Sequence, residues 1–113
     1  MTLVLVMLGG AVGAVGRFLV DRALSGRSAV PLGTLAVNVA GSFLLGVLSA
    51  VAPAVSPAVA TLVGVGFCGA LTTWSTFAFQ TLDLGSRWWA AANVTATLVL
   101  GLGAALLGRA SAL

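Results

Sequence analysis

Four runs of about 20 mostly apolar residues follow one another with little between them, at roughly 2 to 24, 32 to 51, 58 to 82 and 88 to 109. A hydrocarbon core about 30 Å thick takes about 20 apolar residues to cross as a helix, and lipid offers the backbone no partner beyond its own carbonyls. The expected fold is an all-α integral membrane protein, one membrane domain over 1 to 113 with four transmembrane helices. Composition points the same way. The chain is 60% hydrophobic and 6% charged, with five arginines and two acidic residues, where a soluble domain carries about 25% charged side chains. The breaks are short and chemically sensible: Ser25-Gly26-Arg27-Ser28 before Pro31, then Pro53 and Pro57, then Asp83-Leu84-Gly85-Ser86-Arg87. Function is therefore expected inside the bilayer or at its surface.

Several classes drop out early. The first 16 residues lack the basic start of a secretory signal, the first charge is Arg17, and the apolar pattern runs on, so this segment is read as the first span. The net charge of +3 is spread over span ends, which gives no basic patch for nucleic acid. Cys68 is the single cysteine and the chain has no histidine, so neither an intrachain disulfide nor a Cys/His metal site is available. No acid, base and nucleophile set can be assembled for an enzyme.

Orientation is only lightly marked. An even number of spans puts Arg22, Arg27 and Arg87 on the side of the first and third breaks, and Arg109 alone on the side of the termini. The positive-inside rule then favours the loops in the cytoplasm. So small a bias allows two arrangements: insertion both ways, with two inverted copies pairing, or one orientation paired with an oppositely biased sister chain. Gly9 and Gly13, with Gly10, Ala14 and Gly16 nearby, have the small-residue spacing that lets membrane helices approach closely. Glycine is also simply common in membrane helices.

Polar residues at membrane depth carry most of the information. Thr34, Asn38 and Ser42 are spaced by four and share a face of the second span, and Asn93 and Thr97 repeat that spacing in the fourth. A buried amide must find partners, either as glue to another helix or along a polar path. Arg17 lies about two-thirds through the first span, where it should face protein or a water-filled vestibule, in a structural or an electrostatic role.

The stretch GFCGALTTWSTFAF, residues 66 to 79, places Thr72, Thr73, Ser75 and Thr76 in the middle of the third span. Gly69 followed by two β-branched threonines is a poor place for an unbroken helix. Opening it frees carbonyls, which are tolerated at this depth only if buried in protein or bound to something. Carbonyls and hydroxyls suit a small hard cation, as in other broken membrane helices; the hydroxyls of Ser75 and Thr76 can instead donate to an anion. Trp74 and Phe77, three apart, share a face, either as packing or with positive ring edges turned to an anion.

GGAVGAVGRF (9 to 18), PLGTLAVNVAGSFLLG (31 to 46) and GFCGALTTWSTF (66 to 77) resemble the three signature blocks of the Fluc fluoride channels, also called CrcB proteins, in family order and spacing. The resemblance covers essentially the whole chain. It implies an antiparallel, dual-topology dimer in the cell inner membrane, with two fluoride pores and a structural Na⁺ at the dimer interface. Carried over by position, the backbone carbonyls of Gly69 and Thr72 would hold the Na⁺, Asn38 would be the pore amide, and Phe77 the second of two aromatic residues lining the fluoride path. Ser75 and Thr76 lie in the same motif, Thr97 matches the hydroxyl track of the fourth span, and Arg17 matches a first-span arginine. The first aromatic position, usually phenylalanine in that family, is Trp74 here. That departure, with the arginine bias, fits a heterodimer with a second Fluc chain as well as a homodimer.

The implied activity is passive export of fluoride from the cytoplasm, relieving its toxicity. The rival from another class is a small dual-topology drug exporter, which needs an intramembrane carboxylate to exchange protons; Asp21 and Asp83 both sit near span ends. A non-transporting membrane subunit would explain packing glycines but not polar stripes on several spans.

Overall fold

The computed structural model describes residues 1–24 and 31–113. The first break, with Arg27, lies outside the described residues. Helix α1 runs Thr2–Leu24 and α2 Leu32–Val51, the latter entered through Pro31 and prolonged by a 3₁₀ turn over Ala52–Ala54. The third span, Pro57–Asp83, is a composite of α3 (Pro57–Ala60), a π-helical stretch (Thr61–Cys68), α4 (Gly69–Leu71) and α5 (Ser75–Asp83). The last span is a single helix, α6, Arg87–Ala112. All four spans are long and apolar enough to cross a membrane, so this is an all-α, multi-pass membrane protein.

Local chemistry sets the boundaries. The Ser56 hydroxyl accepts from the Val59 N–H with Pro57 in the first turn, and the Ser86 hydroxyl accepts from the Trp89 N–H, so both helices start at side-chain caps. Gly85 turns the chain between α5 and α6 with φ of 69°, a region that glycine enters without penalty.

Small residues decide how the helices pair. α1 packs along the π stretch and α2 along α6. A Cβ on Gly9 would run into the Leu62 carbonyl oxygen and one on Gly13 into that of Phe67. On the other pair, Gly46 abuts the Ala105 carbonyl and Gly108 that of Phe43. The close spacing read from Gly9 and Gly13 is therefore used within the chain, backbone against backbone.

The resulting body measures 45 × 29 × 20 Å, its long axis matching a bilayer with headgroups and its short axis about two helices thick. Such a slab has little interior. Val37, Cys68, Leu71 and Phe77 are its buried apolar side chains among the described residues.

Candidate ion pathway

The third span breaks at residues 72–74, and its hydrogen bonds show how the break is held. Up to Thr72 the ladder is intact: the Thr72 N–H donates to the Cys68 carbonyl at 3.0 Å, and its hydroxyl donates to the same oxygen at 2.8 Å. Thr72 then turns extended (φ −77°, ψ 156°). In a continuous helix the Thr73 N–H would donate to the Gly69 carbonyl. It donates instead to Asn38 Oδ1 at 2.8 Å, and Asn38 Nδ2 donates back to the Thr73 carbonyl at 3.2 Å. A carboxamide carries the same donor and acceptor as a peptide group, so Asn38 on α2 stands in for missing backbone.

The helix then restarts from its own cap. The Thr76 N–H, whose helical acceptor would be the Thr72 carbonyl, donates to Thr73 Oγ1 at 3.2 Å. The carbonyls of Gly69 and Thr72 have thus both lost their helical donors. Gly69 itself remains helical (φ −62°, ψ −36°) and exposed. The backbone opens three residues after it rather than at it.

Beside the break lies a cavity of about 380 Å³ between α2, the break and α6. Asn38, Trp74, Phe77 and Thr97 all line it, together with Ser42, Thr72 and Thr73. Trp74 and Phe77 do share a face, with ring centroids 5.2 Å apart and planes tilted by 48°. Phe77 is 5% exposed and Trp74 73%, so one ring is fixed in the wall while the other stands out from this chain.

The lining supplies hydrogen-bond donors without charge. Asn38 Nδ2 has a second hydrogen beyond the one given to Thr73, and Trp74 adds an indole N–H. Thr97 Oγ1 is buried and, among the described residues, has no partner. The Ser42 hydroxyl is spent on the Asn38 carbonyl at 2.7 Å. Asn93, which shares the Thr97 face, is 1% exposed and donates to Thr81 Oγ1 at 2.8 Å; it ties α6 to α5 and does not line the cavity.

The remaining expected residues lie elsewhere. Ser75 is exposed and lines neither cavity described here. Thr76 faces a second cavity of about 220 Å³ with Arg17, Asp21, Phe18, Ala14 and Thr34. Arg17 thus sits at a polar, protein-walled space that also holds a carboxylate. Next to that space the Thr34 hydroxyl donates to Gln80 Oε1 at 2.5 Å, a pairing across 46 residues that no local pattern announces. Thr73 was visible as part of the breaking motif but not as the residue that holds it.

Among the described residues no three His, Cys, Asp or Glu side chains come together to hold a metal. The freed carbonyls are oxygen donors of the kind a hard cation takes.

The sequence is similar to those of known proteins over nearly its whole length. The family model described as CrcB-like protein, Camphor Resistance (CrcB), matches residues 4–109. The chain is 50% identical over 112 residues to the fluoride-specific ion channel FluC 2 of Halobacterium salinarum, covering 96% of this chain and 84% of that protein. It is 45% identical over 124 residues to the fluoride-specific ion channel FluC 1 of Frankia casuarinae, covering 99% and 96%. It is 44% identical over 112 residues to the fluoride-specific ion channel FluC of Methanopyrus kandleri, covering 95% and 86%.

Proposed function

The chain belongs to the CrcB family, and from that premise we propose that it is a fluoride-specific ion channel of the plasma membrane, letting fluoride leave the cytoplasm by passive conduction. The observation that carries the reading is the cavity in which Asn38, Trp74, Phe77 and Thr97 meet beside the helix break. A small anion with tightly held water crosses only if donors replace that water. The cavity offers the free Asn38 N–H, the unpartnered Thr97 hydroxyl and, with Phe77 and Trp74, two rings whose edges are positive. None of these donors carries a full charge, so the ion is not held tightly enough to stall. A larger anion such as chloride would lose its hydration without equal compensation. Ser75 and Thr76 belong to the path only if it continues past the break, and Arg17 would enrich anions at the second cavity.

The working unit in this reading is two inverted copies of the chain. Freed carbonyls cannot face hydrocarbon, and the exposed position of Gly69 turns its backbone to the outside of a single chain. A second copy covering this surface would bring its own Gly69 and Thr72 carbonyls to the same place. The donor set fits Na⁺: hard neutral oxygens, with no carboxylate or thiolate among the groups proposed. Bound there, Na⁺ would supply fixed positive potential near the bilayer centre. Numbered relatives, FluC 1 and FluC 2, favour a second version in which the partner is a different Fluc chain.

Fluoride and chloride efflux from liposomes containing only this purified chain tests the proposal. Fast fluoride release without chloride release is the expected result. Silence from folded protein that is relieved by adding a sister chain moves the function to a heterodimer, and silence in both cases ends the channel reading.

A further inference from the structure

We propose that Thr73 is the positioning residue of the cation site, keeping free the two carbonyls that would bind the ion; this rests on the sodium reading above. A continuous helix would satisfy Gly69 and Thr72 from the amides of Thr73 and Thr76. Both amides are drawn elsewhere, one to Asn38 Oδ1 at 2.8 Å and the other to the Thr73 hydroxyl at 3.2 Å. One residue thus withdraws its own amide from Gly69 and diverts the amide that would cover Thr72. Its carbonyl is pinned in turn by Asn38 Nδ2 at 3.2 Å. The Thr72 side chain has no such part, because its hydroxyl donates to the Cys68 carbonyl at 2.8 Å; what Thr72 offers a cation is its main-chain oxygen. Thr73 need not touch the ion. It acts through the hydrogen bonds it redirects.

At the Thr72 carbonyl the decisive group is the hydroxyl and not the bulk, whereas the Gly69 carbonyl is freed through the Thr73 main-chain amide, which Asn38 accepts whatever the side chain. Thr73→Val keeps the β-branched shape but removes the acceptor, which releases the Thr76 N–H to return to the Thr72 carbonyl. Thr73→Ser keeps an acceptor at the same place. The test is calorimetric titration of Na⁺ into the full-length protein in lipid nanodiscs, with N-methylglucamine holding ionic strength constant, alongside the thermal midpoint at each Na⁺ concentration. Wild type and Thr73→Ser are expected to bind alike, while Thr73→Val loses about tenfold or more in affinity and its midpoint no longer rises with Na⁺.

Wild-type affinity in Thr73→Val overturns the positioning role and leaves the sodium site standing. A wild-type protein that ignores Na⁺ overturns the sodium site and this inference with it. If Thr73→Val does not fold, carbonyl carbon NMR of the wild-type protein decides. Exchange of N-methylglucamine for Na⁺ should shift the Gly69 and Thr72 carbonyl signals while the Thr73 and Thr76 amides stay hydrogen-bonded. Carbonyl signals that stay put while Na⁺ binds overturn the inference.

Discussion

At the scale of single residues, Asn38 unites two roles that looked like alternatives from its place on the second span. Its carboxamide is glue, bonded twice to the Thr73 backbone, and it also faces the cavity with one N–H to spare. Replacing it with leucine removes both, and each Thr73 group left unpaired costs about 1 to 3 kcal/mol. Asn38→Leu is expected to lose fluoride flux in liposomes while eluting like the wild-type protein on size-exclusion chromatography. Undiminished flux would take Asn38 out of the path. The polar face Thr34, Asn38 and Ser42 was legible because spacing of four is fixed by helix geometry. That Asn38 would reach the backbone of Thr73, 35 residues away, was not, because a side chain's partner depends on how two helices cross.

At the scale of elements, the third span shows where helix propensity is a useful guide and where it stops. Gly69, Thr72 and Thr73 mark a weak place, and the helix opens at 72–74. Nothing in the sequence marks the π stretch Thr61–Cys68. The glycines of α1 are more predictable in effect. A Cβ at Gly9 or Gly13 meets main-chain oxygen, which cannot swing aside as a side chain would. Gly9→Ala and Gly13→Ala are each expected to cost about 1 to 3 kcal/mol, read as a lower thermal midpoint in lipid. Gly103, where an added methyl group would meet nothing within 4 Å, provides the contrast. Gly103→Ala should be neutral or stabilising by up to about 1 kcal/mol; equal losses at all three sites would refute close packing as the cause.

At the scale of the whole molecule, the chain is a slab with most of its apolar surface on the outside. In each span's most apolar window only 11 to 17% of residues are buried, so lipid or a second copy must cover the rest. Because Cys68, the single native cysteine, is buried, Leu113→Cys supplies an external reporter of orientation. An inverted pair predicts that a membrane-impermeant maleimide labels one fraction in intact cells and the remainder only after permeabilisation; labelling from one side alone would replace the inverted homodimer with a pair of different chains. The sequence by itself determined the solvent and the number of crossings, since four apolar runs of bilayer length leave a backbone no other way to satisfy itself. It also determined where the third helix is weak. Only the tertiary structure decided what that weakness becomes. The packing of α2 beside the third span delivers the Asn38 amide to Thr73, strips Gly69 of its donor, and sets Phe77 and Thr97 around one cavity while sending Thr76 and Arg17 to another. These are distances between residues far apart in the chain, and local pattern holds no record of them.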